Sequence, residues 1–231
     1  MLQLRFYKTG MALCVLALLS FSAGATSLRV SGAAYELDGG SLLYSEQHFC
    51  GVDVLSCRVD YVTPEGELIA RKQIDYSENL QAPVLLVSDF RQDSEKRIDF
   101  STVPELVVDA GFDNFVRLQW DRLVEDVPVS FPFMVPGRDQ ALSMRVVAEG
   151  QATGDQTVCG AEQLCLRVEL DSWFLRLAVP PILLTYDRES RRLMRFRGIS
   201  NIRGEQGNTL KVDIQYRYVD ASAKEALLSG S

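Results

Sequence analysis

The chain has 231 residues, 47% of them hydrophobic, and a formal net charge of −7. This length is enough for one substantial core, and no Pro-, Gly- and Ser-rich linker divides the chain, so one domain is expected. The acidic balance disfavours non-specific nucleic-acid binding, which needs clustered Lys and Arg over much of a surface.

Residues 1–25 have the pattern of a cleavable signal peptide. Arg5 and Lys8 precede the apolar run MALCVLALLSFSAGA, and Ala23 and Ala25 complete an A-x-A cleavage pattern. The run is shorter than a membrane-spanning helix, which needs about 20 apolar residues. We therefore expect a periplasmic or secreted protein with no transmembrane anchor after cleavage. The mature chain carries a charge of −9, because the peptide removes two cations and no acid.

Beyond the signal peptide, short alternating apolar runs bounded by turn residues indicate antiparallel strands. Turns at 38–40, 63–66 and 187–190 separate alternating runs and predict hairpins. A mainly β (α+β) fold is expected, with a curved antiparallel sheet or partly open β-barrel in one domain over 26–220 and a flexible tail at 221–231. The predicted strands are 29–37, 41–49, 56–62, 67–75, 83–90, 95–100, 129–135, 141–149, 164–170, 173–178, 182–187, 192–198 and 209–219.

His48 is the single histidine of the chain, so any Ser–His or Cys–His mechanism must use it. Period-two alternation puts Tyr44, Glu46 and His48 on one face of their strand. Lys72 lies opposite Glu46 if their two strands are neighbours. A carboxylate beside an imidazole permits acid–base catalysis, but the sequence contains no G-x-S-x-G or H-E-x-x-H motif. The simpler interpretation is a polar strand face that is solvated or satisfied by a neighbouring strand.

Four cysteines remain after cleavage, in two close pairs, Cys50 with Cys57 and Cys159 with Cys165. An even number in an exported protein predicts two disulfides, and local pairing is the simplest of the three connectivities. A four-cysteine zinc site is the alternative, but the C-x6-C and C-x5-C spacings are unlike the short knuckles of such sites. We therefore expect no metal and no cofactor.

One segment has helical periodicity. Apolar residues recur at helical spacing from Phe112 to Leu123, and Asp109 precedes them as a candidate N-cap. This pattern predicts an amphipathic helix over about 110–123, whose aromatic stripe should pack on the sheet.

The stretch DSWFLRLAVPPILLTY is the most apolar part of the mature chain, and Pro180 and Pro181 divide it. The prolines predict two short strands or one bent edge strand. A concave face containing Trp173 and Phe174 suits a lipid or acyl chain, and core packing is the simpler alternative.

An arginine-rich hairpin follows. Alternation places Arg191, Arg195 and Arg197 on one strand face, which suits an anionic headgroup, a phosphate or an acidic partner. A solvated face paired with the many carboxylates of the protein is the alternative.

Several segments resemble a family of uncharacterised exported bacterial proteins: YSEQH, DAGFDNFVRLQWDRL, FPFMVP and LTYDRESRRLMRFRGISNIRGEQGNTLKVDIQYRY. The resemblance covers most of the mature chain and implies a periplasmic β-rich fold, with no catalytic residue or cofactor to carry over. The last hairpin more loosely resembles the curved sheets of periplasmic lipid and lipoprotein carriers, and such a fold analogy does not determine function.

These features predict a non-catalytic periplasmic binding or envelope-accessory protein for an apolar or amphiphilic ligand. A lipid or another envelope protein is the expected partner. One alternative is a hydrolase or transferase that uses Glu46 and His48. Another is a structural partner in an envelope complex, which would display an exposed apolar patch instead of a closed pocket.

Overall fold

The structure is a computed structural model that describes residues 27–37, 40–136, 138–149, 159–177 and 179–219. The predicted signal peptide and C-terminal tail lie outside these residues. Thirteen strands form one sheet. They are β1 (Ser27–Glu36), β2 (Leu42–Cys50), β3 (Ser56–Val62), β4 (Leu68–Asp75), β5 (Val84–Asp89), β6 (Ser94–Ile98), β7 (Val107–Val108), β8 (Val129–Met134), β9 (Leu142–Ala148), β10 (Gln163–Leu170), β11 (Ile182–Asp187), β12 (Leu193–Arg203) and β13 (Thr209–Tyr218).

The strand order in the sheet is β6-β5-β4-β3-β2-β1-β13-β12-β11-β10-β9-β8-β7. Two meanders, β1–β6 and β8–β13, extend in opposite directions, and β7 adds to β8 in parallel. The first and last strands pair in the middle, from Val30 opposite Tyr218 to Glu36 opposite Val212. As described, β6 and β7 are the sheet edges, so the barrel is not closed. The predicted mainly β fold is confirmed.

The three predicted hairpins are confirmed, between β1 and β2, β3 and β4, and β11 and β12. In the β3–β4 turn, the Thr63 N–H donates to the Glu67 carbonyl at 2.8 Å. Gly66 occupies the left-handed region there with φ of 92°, a conformation that glycine adopts without steric cost.

Two short helices follow β7: α1 (Gly111–Leu118) and α2 (Trp120–Val124). The predicted helix at about 110–123 is therefore confirmed, with a short break between the two parts. The predicted N-cap is wrong, because Ala110 is the N-cap and makes no side-chain capping bond. Asp109 has φ of 41°, and its carboxylate accepts two hydrogen bonds from Lys72 instead. No helix in the described part of the chain combines the length and apolar character needed to cross a membrane.

The start of α1 lies directly against the loop that precedes β5. A Cβ on Gly111 would stand 1.9 Å from the backbone oxygen of Gln81, so only glycine allows this approach. The apolar face of α1 then packs on the sheet, with the Phe115 and Phe131 rings 4.5 Å apart and Val116 fully buried. Helix and sheet thus share one aromatic core.

The predicted strand at 173–178 is wrong. Leu175–Leu177 form a single 3-10 turn, closed by local backbone hydrogen bonds, and β11 begins after the two prolines. Since proline has no N–H to give to a sheet ladder, the segment before them does not extend β11. Trp173 and Phe174 project into solvent, with 70% and 66% of their surface exposed.

Both predicted disulfides are confirmed. Cys50 and Cys57 lie directly opposite each other on β2 and β3, and Cys159 is bonded to Cys165 of β10. Disulfides persist in oxidising compartments, so the pairs are typical of a protein that resides outside the cytoplasm.

Candidate functional site

The concave face of the sheet and α1 line a partly open cavity of about 730 Å³. This volume is in the range of small-molecule sites, about 300–1,000 Å³. Two parts of this lining differ in character: β2–β4 and β13 carry charged and phenolic side chains inward, and β8–β12 carry mostly apolar ones.

The wall from β8–β12, together with Phe112 of α1, is mostly apolar, with Tyr186, Ser200 and Asn201 as its polar members. Phe112 reaches into it from the helix and contacts the rings of Phe131 and Phe133, at centroid distances of 5.5 Å and 6.2 Å. We call this surface the apolar wall; its residues are Phe112, Phe131, Phe133, Met144, Val168, Ile182, Leu184, Leu193 and Phe196. Binding of an apolar ligand to such a surface is favourable, because both apolar surfaces are removed from water.

The opposite surface, from β2–β4 and β13, carries a cluster of charged and phenolic side chains. We call it the polar wall; its residues are Tyr44, Glu46, His48, Tyr61, Lys72 and Tyr216. Alternation along β2 brings Tyr44, Glu46 and His48 together, and the curvature of the sheet turns that face inward. These side chains line the cavity and do not form a solvated outer face; the other form of the simpler interpretation, a polar face satisfied by other strands, describes Glu46, whose partner Tyr216 lies on β13.

Glu46 is the centre of a short hydrogen-bond network. Its Oε2 atom accepts a bond from the Tyr216 hydroxyl at 3.1 Å and lies 3.1 Å from His48 Nε2. The Tyr216 and His48 rings meet edge to face at 6.1 Å. The imidazole and carboxylate are thus held in one orientation, with the imidazole surface open to the cavity.

Burial keeps the phenols of this wall protonated. Burial, and secondarily the Glu46 carboxylate, raises the pKa of Tyr44, Tyr61 and Tyr216 well above the ordinary value of 10.0. Neutral phenols remain available as hydrogen-bond donors, and the Tyr44 and Ser200 hydroxyls lie 2.7 Å apart.

Lys72 lines the cavity but does not pair with Glu46. Strand β3 separates β4 from β2, so Lys72 aligns with Val59 and, one strand further, with His48. Its Nζ donates to both carboxylate oxygens of Asp109 at 2.8 Å. The predicted Lys72–Glu46 pair is therefore wrong, and Lys72 instead fixes the segment that leads into α1.

Asp113 of α1 is a charged group that periodicity did not single out. Protein surrounds it, yet 35% of its side-chain surface is accessible and it lines the cavity. Burial raises the pKa of its carboxyl, an effect that Arg117, 2.7 Å away, opposes. In the described part of the chain, neither Asp113 Oδ1 nor the buried Tyr186 hydroxyl has a hydrogen-bond partner of normal geometry.

The predicted arginine face is not formed as expected. A bulge in β12 aligns Leu193 with Tyr186 but Arg195 with Thr185 and leaves Met194 unpaired, so Leu193 faces the cavity and Arg195 does not. Arg195 and Arg197 both lie against Asp213.

Arg191 is separate from the other two arginines, above the Trp120 ring at 5.3 Å and 3.8 Å from Asp121. Arg191, Arg195, Arg197, Trp173 and Phe174 all lie outside the set of cavity-lining residues. The structure does not bring these predicted ligand contacts together.

Arg29 is a second cavity residue that the sequence did not indicate. It lies in an ordinary strand pattern between Leu28 and Val30, and only the three-dimensional pairing of β1 shows that its side chain faces inward. A bulge of this kind has no reliable sequence signal.

No protein-family model and no curated protein matches this chain. Among solved structures, the chain is similar to one titled as a β-barrel-like protein of domain of unknown function DUF1849 from Brucella abortus. That similarity has 10% sequence identity and a TM-score of 0.33, and it covers 84% of this chain and 97% of the other. A likeness at this level carries no inference about function.

Proposed function

We propose that this protein is a non-catalytic binding protein of the bacterial periplasm that holds an apolar or amphiphilic ligand in the cavity. The observation that carries the proposal is the division of the cavity into an apolar wall and a polar wall. A ligand with both characters would cover the first and hydrogen-bond to the second. The two disulfides and the predicted signal peptide support the location.

The proposal is tested by native mass spectrometry of protein purified from the cell envelope, followed by removal of any bound lipid and calorimetric titration with dodecanol and dodecanoate. We expect copurified lipid, or uptake of one amphiphile per chain. A protein that carries no lipid and takes up neither probe would refute a ligand-binding function.

A matched pair of variants locates the ligand. Met144→Trp fills part of the apolar wall and is expected to weaken uptake, because the added ring occupies ligand volume. Met194→Trp makes the same change on the outer face, where Met194 is 37% exposed, and should leave uptake unchanged. Equal affinities for the two variants would place the ligand outside the cavity.

The second candidate is a hydrolase or transferase that uses Glu46 and His48. The specific support is the 3.1 Å contact between His48 Nε2 and Glu46 within the cavity, because an imidazole held beside a carboxylate is suited to general acid–base catalysis. In the described residues, no Ser, Thr or Cys side chain is hydrogen-bonded to His48, so the attacking group would have to be water or a substrate. Ester hydrolysis that is lost in His48→Gln and retained in Tyr44→Phe would favour this candidate.

A further inference from the structure

Arg29 occupies an unusual backbone position in the cavity. Leu28 pairs with Phe49 and Val30 with His48, so β1 has one extra residue, Arg29, at this point. In a regular strand, adjacent residues face opposite sides, yet Arg29 and Val30 both line the cavity. The bulge therefore turns a cationic side chain inward, as bulges beside functional sites commonly do.

Arg29 is also distinctive in its partners. Among the described residues, each other cationic or imidazole side chain of the cavity contacts a carboxylate: Lys72 contacts Asp109, Arg117 contacts Asp113, and His48 contacts Glu46. Arg29 forms no ion pair with a carboxylate of the described residues. The carboxylate of Asp53, which also lines the cavity, accepts a hydrogen bond from the Leu55 N–H.

One donor of this guanidinium is left unsatisfied. The Arg29 Nε atom is buried and has no hydrogen-bond partner in the part of the chain that the structure describes. Buried donors are almost always paired, because an unpaired one loses its bonds to water without compensation. A guanidinium is matched in shape and charge by a carboxylate or phosphate, which it binds through two parallel hydrogen bonds.

The surroundings of Arg29 favour an amphiphile over a wholly polar anion. Val30 beside it pairs with Tyr218, whose partly buried hydroxyl donates to the Leu193 backbone oxygen at 3.0 Å. Leu193 belongs to the apolar wall, so this bond links the neighbourhood of Arg29 to that wall. An anion bound at Arg29 can therefore extend an attached chain along apolar side chains without leaving the cavity.

We propose that Arg29 is the anchor for the anionic headgroup, a carboxylate or phosphate, of an amphiphile whose apolar chain covers the apolar wall. This inference rests on the proposed ligand-binding function and names the class of ligand. The bulge in β1 supplies the orientation, and the lack of a competing carboxylate leaves the charge available to the ligand.

The test compares four probes by calorimetry on the wild-type protein: dodecanoate, dodecyl phosphate, uncharged dodecanol and inorganic phosphate. Arg29→Gln removes the charge and keeps a side chain of similar polarity. Arg217→Gln on the adjacent strand β13 is the matched control, because Arg217 is exposed and lines no part of the cavity. Circular dichroism and urea unfolding establish that all three proteins are folded.

We expect the wild type and Arg217→Gln to bind dodecanoate or dodecyl phosphate about tenfold to a hundredfold more tightly than dodecanol, as charge-assisted hydrogen bonds imply. Arg29→Gln should lose this preference while it still binds dodecanol. If Arg29→Gln retains the preference, or if the wild type has none, Arg29 is not the anchor although the cavity still binds amphiphiles. Binding of inorganic phosphate as tight as that of dodecyl phosphate would identify a free anion as the occupant and overturn the inference. Failure of every probe to bind the wild type would refute the proposed function itself.

Should Arg29→Gln fail to fold, Arg29→Lys provides the second variant. Lysine keeps the charge but lacks the planar fork, so we expect it to retain a preference for anionic probes that is weaker than in the wild type. A lysine variant with no preference for anions would contradict the proposed electrostatic anchor.

Discussion

Replacing Lys72 with methionine should lower the free energy of unfolding by about 3–5 kcal/mol, the cost of removing one partner from a buried ion pair. Both side chains of the Lys72–Asp109 pair are only 6% exposed, and two hydrogen bonds of 2.8 Å join them. In the variant, Asp109 keeps only the longer bond from Asn201, at 3.3 Å. Since whole domains are stable by about 5–15 kcal/mol, the loss would be readily measured.

Urea unfolding of a double-mutant cycle isolates the pair. Asp109→Asn is the second single variant, because asparagine tolerates the left-handed φ of 41° at this position. The double variant should lose less stability than the sum of the two single losses, with a coupling of about 1–3 kcal/mol. Arg97→Met, which breaks the exposed Arg97–Asp99 pair, is the control and should change little. If the two single losses of stability add to within about 0.5 kcal/mol of the double loss, Lys72 and Asp109 are not energetically coupled.

Three further changes test the fold around the cavity. Gly111→Ala should destabilise the protein by about 3 kcal/mol in urea unfolding, because the new methyl group collides with a backbone carbonyl. Asp113→Asn should gain stability relative to the wild type as the pH rises above about 4: burial raises the folded-state pKa of Asp113, so the wild type loses stability as the pH rises from the ordinary aspartate pKa toward that raised value. Replacing Cys50 and Cys57 together by alanine should cost about 2.5 kcal/mol, as expected for so short a loop.

Each of these results has a contrary outcome. A Gly111→Ala protein of unchanged stability would mean that α1 moves away from the sheet without cost. A difference between Asp113→Asn and wild type that is constant with pH would show that the folded state does not raise the pKa of this carboxyl. Loss of the cysteine pair without a change in unfolding midpoint would show that the bond does not restrain the unfolded chain.

The strand pattern was largely predictable because alternation is a local property. On β2, Tyr44, Glu46 and Cys50 are buried on one side and the opposite side is half-buried throughout, and turn residues at 63–66 end the next alternating run. Two errors have local causes as well. The two-residue strand β7 is too short to show a period, and the apolar segment at 173–178 closes its backbone bonds within one turn.

The site was less predictable, because it depends on the direction in which the sheet curves and on bulges. Alternation groups Tyr44, Glu46 and His48 but does not say which face is concave. The bulges at Arg29 and Met194 each shift the in–out alternation of side chains by one residue. Arg29 therefore points inward and Arg195 points outward. Asp109 resembles a helix cap in sequence, and its role as the partner of Lys72 follows from contacts distant along the chain.

The pairing of β1 with β13 has a consequence for folding. Every other pair of neighbouring strands in the sheet is consecutive in the chain, so each meander can form from local hairpins. The β1–β13 ladder, with the Val219 N–H donating to the Arg29 carbonyl at 2.9 Å, must instead join opposite ends of the folded region. Loop-closure entropy therefore opposes this pairing more than any hairpin of the sheet, and it is also the pairing that completes the cavity. A circular permutant that links residue 219 to residue 27 and opens the chain at 63–66 would make this ladder local.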